Sequence, residues 1–405
     1  MKEALDLTLL NPHADDFVVT PVSFRLVGRR GLRKYNYLVD EPIRRGHRPV
    51  VLVDGTLSSL IEQSIFIRLP KWLRMLILRI EVFIWLRINE LSGKVDIHWS
   101  LDTIQDRSAV YAFSYKNCVG AFEQRRVTFA AFDRAIINLS HYFIRTGEKA
   151  RNIARLPNAL IHADSDHRNN PYFKKFFPGR SVDIVLPFAV ARRFATKRSL
   201  LERRPTCAAT GSFHNLRNEE PVSYYSDFIG FFDSYTYHPV RKLIYENRAR
   251  ISDWLDCRVS PFRESGRSRL FERLRKVLRL DALQAKYFSF DIVAFYNDHV
   301  FAVVGEELSG APAVGFFEAM ACGCVLLGQA DYYDGLGLVP GRHYLAYDGS
   351  LDSMRAALAT AAGDPALVAS ISRAGLDYVQ NHCTPDAVWH ALQQAVIEAP
   401  RRSTP

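Results

Sequence analysis

Short apolar runs that end on glycine, a polar residue or an acid alternate along this chain with longer segments of helical spacing. That alternation leaves few architectures open. In the first half the runs are "PVVLVDG" (Pro49–Gly55), "SAVYAFSY" (Ser108–Tyr115), "VTFAAF" (Val127–Phe132) and "NALIHAD" (Asn158–Asp164). Between them lie stretches such as Asp133–Leu156, whose spacing predicts a helix. The second half repeats the pattern with "TCAATG" (Thr206–Gly211), a helix from Pro239, a basic helix "RSRLFERLRKVLRL" (Arg267–Leu280) and "HVFAVVG" (His299–Gly305). "GAPAVGFFEAMACGCVLLG" (Gly310–Gly328) then reads as a helix followed by a strand, and three helices close the chain. Strand–helix alternation of this kind predicts α/β layers on parallel sheets, with the carboxyl ends of the strands lining a crevice.

A chain of 405 residues exceeds what one hydrophobic core usually organises, so two domains are expected. The composition shifts near residues 190–204, where the strand-like "VDIVLPF" (Val182–Phe188) runs into a basic connector. The expected division is 1–195 and 196–405. With 48% hydrophobic and 24% charged residues the chain reads as folded throughout, apart from the tail "APRRSTP".

Lysine and arginine number 53 against 43 aspartates and glutamates, a surplus that suits an anionic partner. From Arg25 to Arg87 there are 13 basic and 5 acidic side chains, so the amino-terminal part is the expected face for a large anionic surface. Nucleic acid is disfavoured as that partner. No binding motif is present, and 26 phenylalanines and 18 tyrosines are scattered through core-like positions and not interleaved with a basic stripe. The six cysteines show no framework spacing and follow no secretory segment, which implies reduced thiols in a cytoplasmic protein. Cys322 and Cys324 lack a second pair at finger spacing, so no metal site is expected.

The segment Leu69–Leu91 is long enough to span a bilayer, but Arg74, Arg79, Glu81 and Arg87 interrupt it. As a helix it would carry a stripe of Leu73, Ile77, Ile80, Ile84 and Ile88. Two readings stay open: a helix packed by that stripe and resting in anionic headgroups by another face, or a helix buried between layers.

The second half resembles the nucleotide-binding domain of GT-B glycosyltransferases, especially the group 1 families. The resemblance is carried by "GFFEAMACGCVLLGQ" (Gly315–Gln329), "LGLVPGRHYLAYDGSLDSMRAAL" (Leu336–Leu358) and "AGDPALVASISRAGLDYVQNH" (Ala362–His382), with "VLPFAVARRF" as the hinge between domains. It implies two Rossmann-like domains with a cleft between them, the first binding acceptor and the second a nucleotide-sugar donor. No metal and no other cofactor is implied. Retaining group 1 enzymes often carry a second glutamate eight positions before the one corresponding to Glu318; here that position is Gly310, with Glu306 and Glu307 upstream.

Independently of that resemblance, a loop that opens a helix at Gly310–Gly315 offers free amides to a phosphate, and Glu318 one turn on offers a carboxylate to ribose hydroxyls. Glycosyl transfer leaves charge on a departing phosphate, so a metal-free site needs cations and amides aimed at it. The candidates are Gly211, Ser212 and His214 in "TGSFHN", His238 and Arg241 in "YTYHPVRK", and Lys286 in "QAKYFSF". Arg241 has the fork to grip phosphate through two bonds. Proton transfer requires a carboxylate or imidazole at a strand end. Asp164, Asp166 and His167 in "HADSDHRNN" satisfy this, with Asp54 and Asp233 as further positions.

The expected function is transfer of a sugar from a nucleotide sugar to a glycan or lipid-linked acceptor in bacterial surface polysaccharide synthesis, of O-antigen, capsule or lipopolysaccharide type. The protein would sit in the cytoplasm with peripheral contact to anionic membrane through residues 25–91. His238-Pro239 also resembles the phosphate-binding pair of transferases that use CMP-linked sialic acid or Kdo. A catalytically inactive partner subunit of the same fold is the remaining alternative.

Overall fold

The structure is a computed structural model and describes residues 7–14, 35–59, 61, 63–113, 115–218, 221–261, 290–333 and 335–399. It divides into two compact units. The first comprises Met1–Ala163, Gly179–Leu186 and Val388–Pro405; the second comprises Asp164–Pro178 and Pro187–Ala387. The chain thus visits the second unit at Asp164–Pro178, returns to the first for Gly179–Leu186, runs in the second from Pro187 to Ala387, and rejoins the first at Val388 within its last helix.

The first unit is built on a seven-stranded parallel sheet. Its strands are β1 (Leu7–Leu10), β2 (Val50–Leu52), β3 (Asp96–His98), β4 (Ala109–Ala112), β5 (Arg134–Asn138), β6 (Ala159–Ala163) and β7 (Ile184–Val185), in the order β3-β2-β1-β4-β5-β6-β7. The order runs one way from β1 to β3 and the other way from β4 to β7. The reversal between β1 and β4 opens a crevice at their carboxyl ends. Every residue of β1, β4, β5 and β6 is buried, which is why these runs are apolar without alternation.

Three local expectations are corrected here. "VTFAAF" is mostly the end of the helix Phe122–Ala130, with Val127 67% exposed, and the strand is the next run, "RAIIN". Only Thr146–Ala154 of the expected helix 133–156 is helical. Runs this short carry no decisive period, and complete burial of Arg134–Asn138 between neighbouring strands decides in favour of strand. The helix Lys71–Ile88 packs inward through Leu78, Glu81, Val82 and Trp85, not through the stripe of Leu73, Ile77, Ile80, Ile84 and Ile88. Burying the Trp85 indole and pairing Glu81 with the Ser58 hydroxyl and the Ser59 amide fix that rotation.

The second unit carries β8 (Arg204–Ala209), β9 (Ser212–Phe213), β10 (Leu255–Cys257), β11 (Ser260–Pro261), β12 (His299–Val303), β13 (Val325–Gly328) and β14 (Leu345–Ala346). Five form a parallel sheet in the order β10-β8-β12-β13-β14, with β9 and β11 as a short parallel pair. The reversal falls between β8 and β12. On one side of the sheet Ala209, Val303 and Leu327 meet Ile244 of the helix Pro239–Asn247 and Met354 of the helix Leu351–Ala362. The closing helices start and stop where the sequence predicts. Ser350 caps the first through Ser353 N, and Asp364 caps the second, Pro365–Tyr378, through Leu367 N, with Gly363 between them. The expected helix Arg267–Leu280 lies outside the described residues.

Candidate functional site

The two strand ends at the reversal of the second sheet are joined by one side chain. Arg241, on the first turn of the helix Pro239–Asn247, donates from Nε to Val304 O (2.9 Å) and Gly305 O (3.0 Å), beyond β12. Its Nη1 donates to Ser212 O (2.9 Å), beyond β8. Gly211, at φ +118°, lies directly under it; a Cβ there would stand 2.9 Å from Arg241 Cδ. Three of the predicted donor residues, Gly211, Ser212 and Arg241, are thus brought together. Three of the bonds made by the guanidinium go to backbone carbonyls.

Beyond β12 the chain turns through Glu306–Ala313 into the helix Val314–Ala321. Gly315 lets this helix approach β12, since a Cβ would meet Val304 Cγ1 at 2.8 Å and the Tyr296 hydroxyl at 3.1 Å. Glu318 follows on the same helix. It is part-buried, and among the described residues its carboxylate makes no hydrogen bond or ion pair. Burial pushes its carboxyl up to about 7, with Arg193 pulling the other way. A part-buried acid without a hydrogen-bond partner is costly to stability.

Glu306, noted in the sequence only as an acid upstream of Gly310, comes three residues after β12, is buried, and accepts from Gln329 N (3.1 Å) and the Tyr333 hydroxyl (2.6 Å). Burial raises its carboxyl above the usual range, against the pull of Tyr333, the Gln329 amide and Arg241. The signal available was an acid just past a wholly apolar run in "VFAVVGEE".

The segment from Asp164 packs in the second unit against the loop that precedes the helix Val314–Ala321. The Ser165 hydroxyl donates to Gly310 O (3.1 Å), and Asn170 Nδ2 donates to Ser309 O while Asn170 Oδ1 caps the helix Pro171–Phe176. His167 is buried and stacked on Phe173 with ring centroids 5.4 Å apart. Its Nδ1 lies 3.2 Å from the Ser165 hydroxyl, and burial lowers its pKa to about 4, so the ring is neutral near pH 7. Asp166 is held by the Arg168 amide (2.9 Å) and guanidinium in an Asx turn. Asp164 is buried at the end of β6. Asp233 lies apart from this group, exposed at the end of the helix Ser226–Phe232 with φ +47°.

This contact makes Gly310 a sensitive position. Its φ is +95°, and a Cβ would stand 1.9 Å from Asn170 Nδ2. Gly310→Ala is expected to destabilise the fold by about 2–4 kcal/mol, from the left-handed backbone and the clash together. Thermal melting checks this, and Asn170→Ala in the same chain should recover part of the loss, because the clashing amide is gone.

His214 stacks on Tyr237 (4.8 Å between centroids), and His238 precedes the helix with its Nε2 3.9 Å from Glu307 Oε1. Lys286 lies outside the described residues. A cavity of about 480 Å³ opens nearby, bounded by Thr236, Lys242, Leu308, Gln329, Tyr332 and Asp348; none of the described donor candidates lines it.

The first unit holds its own polar cluster at the reversal of its sheet. Asn11 follows β1, Asn117 follows β4, and Asn11 Nδ2 donates to Asn117 Oδ1 (3.3 Å). Asp54 receives the Thr56 amide at 2.8 Å and the Thr56 hydroxyl, while its Oδ2 is buried without a hydrogen-bond partner among the described residues. Arg125 donates to Thr56 Oγ1 (2.6 Å) and Asn117 O (2.7 Å). His13 lies 3.9 Å from Glu81, and burial lowers its pKa to about 4. Of this cluster the sequence pointed to Asp54. His13 follows the strand "LTLL", which is too short to stand out, and Glu81 and Arg125 sit on helices without a distinguishing pattern. Among the described residues no group of three or more His, Cys, Asp or Glu side chains is placed to hold a metal ion.

Two parallel sheets, each with a reversal and polar groups at it, describe a known architecture. The structure is similar to sucrose-phosphate synthase from Thermosynechococcus elongatus, with a TM-score of 0.52 and 14% identity, over 96% of this chain and 97% of that one. The fold is that of GT-B glycosyltransferases. HepE from Anabaena, solved with UDP and glucose, is similar over 97% of this chain and all of that one, with a TM-score of 0.50 and 9% identity. At these identities the likeness is one of fold. Residues 268–394 match the family model described as glycosyl transferase-like, so the GT-B resemblance read from Gly315–His382 holds over that part of the chain. No curated protein matches the sequence.

Proposed function

We propose that this chain is a glycosyltransferase that takes its sugar from a nucleotide-linked donor bound in the second unit. One observation carries the reading: Glu318, a part-buried carboxylate without a hydrogen-bond partner among the described residues, sits one turn into the helix that follows the sheet reversal. There it accepts the ribose hydroxyls. The amides at the amino end of the helix Val314–Ala321 and the charge of Arg241 serve the diphosphate, with Gly211 and Ser212 shaping the floor. His214, His238 and Lys286 complete the proposed donor set. Among the proposed catalytic residues Asp164 takes the proton-transfer role. Asp166 is engaged by Arg168, His167 holds the loop as a neutral ring, and Asp233 is exposed at the end of its helix.

The acceptor we assign is a glycan or lipid-linked sugar of bacterial surface polysaccharide synthesis, reached at the inner face of the membrane. The basic surplus of residues 25–87 supports that assignment. No described helix is long and apolar enough to cross a membrane.

Thermal melting against a panel of UDP-, GDP- and CMP-linked sugars tests the donor. A donor present at a hundred times its Kd should stabilise the protein by about 2.7 kcal/mol. A positive shift with a CMP-sugar alone selects the Kdo or sialic-acid type, and binding without turnover selects an inactive partner subunit. Turnover is expected to survive EDTA, and a magnesium-reversible loss of activity overturns the metal-free mechanism.

A further inference from the structure

The helix Lys71–Ile88 is apolar on two opposite faces, and one of them is uncovered. Leu78, Glu81, Val82 and Trp85 are packed, while Trp72 (68% exposed), Leu76 (49%), Ile80 (49%) and Phe83 (63%) follow one another at steps of four, four and three residues on the other side. A helix that is apolar all round is ordinarily buried all round. Contiguous exposed aromatic and aliphatic side chains mark an interaction surface.

Charge selects the occupant. Arg68, Lys71, Arg79 and Arg87 are exposed along this segment, and none forms an ion pair among the described residues. The helix has one acid, Glu81, which is buried and bonded to Ser58 and Ser59. Within the helix Lys71–Ile88 the exposed charges are therefore all positive and lie around an apolar centre, with Glu90 exposed just beyond its end. Tryptophan at one end and arginines at the margin match the layered polarity of a lipid headgroup region.

We propose that this face docks the first unit on an anionic lipid surface. Trp72, Leu76, Ile80 and Phe83 enter the headgroup layer, and Arg68, Lys71, Arg79 and Arg87 pair with lipid phosphates. The helix lies along the surface and does not cross it. The inference rests on the membrane-side acceptor of the proposed function but not on the donor site.

The test is sedimentation of the full chain with vesicles of phosphatidylcholine alone or with three-tenths phosphatidylglycerol. Binding is expected to the anionic vesicles, falling with salt, and to be weak on the neutral ones. Arg79→Gln and Arg87→Gln should each lower the partition roughly fivefold, and Trp72→Asp with Phe83→Asp should abolish it. All four side chains are exposed, so melting temperature and nucleotide-induced shift should stay at the parent values; these readouts separate failure of docking from failure of the donor site. Absence of binding at low salt, or binding indifferent to these substitutions, overturns the proposal. So does a dimer in sedimentation velocity that Trp72→Asp dissolves and anionic vesicles do not, since the face then belongs to a second copy.

Discussion

Glu318→Ala is expected to weaken nucleotide binding by about 1.5–3 kcal/mol, roughly ten- to 150-fold, while the protein stays folded. The size follows from losing hydrogen bonds to a charged acceptor, and calorimetry reads it directly. The same residue sets a pH dependence with opposite signs for stability and binding. Burial holds its carboxyl at about 7 in the folded state, whereas an unfolded chain releases that proton near about 4.3. The folded protein therefore binds the extra proton between those values, and stability from this group is present at low pH and lost as pH rises through about 7. Glu318→Gln removes that loss, so the variant should melt higher than the parent at pH 8 and lie close to it near pH 4. Ribose hydroxyls need the ionised form, so parent affinity should climb between pH 6 and pH 8 and the variant's should stay flat. Unchanged nucleotide affinity in folded Glu318→Ala overturns the assignment.

Glu318 stands out in the sequence because a carboxylate inside "GFFEAMA" interrupts an apolar run; in the fold it is part-buried and makes no hydrogen bond among the described residues. Strands were legible where a run was long enough to be wholly buried, as in "HVFAVVG" and "CVLLG". They were misread where two apolar runs sit side by side, as with "VTFAAF" and "RAIIN", because burial by neighbours, not composition, decides which becomes strand. Contacts between residues far apart in sequence were out of reach. Nothing in "HADSDHRNN" says that Asn170 will hold Ser309, nor does "LTLLNPH" say that His13 will lie beside Glu81. The stripe on the helix Lys71–Ile88 failed for the opposite reason: nearly every position is apolar, so the sequence offers several stripes and only packing of Trp85 chooses among them.

Arg241→Ala is expected to destabilise the protein by about 2–4 kcal/mol and to weaken nucleotide binding in the same variant. The sequence suggested a side chain free to fork onto phosphate, but the guanidinium ties Ser212 O to Val304 O and Gly305 O across the reversal of the second sheet. Those are charge-assisted bonds to backbone, and removing the donor leaves three part-buried carbonyls to find water. It also uncovers Gly211, whose φ of +118° is held beneath the Arg241 side chain. Binding then falls because the two loops that form the floor of the donor site are no longer fixed to each other. Arg241→Lys separates this from a charge effect. An ammonium keeps the positive charge for a phosphate but lacks the planar fork that reaches carbonyls on two strand ends, so it should recover part of the affinity and little of the melting temperature. A variant Arg241→Ala that melts with the parent yet loses turnover would instead assign the guanidinium to the leaving phosphate alone.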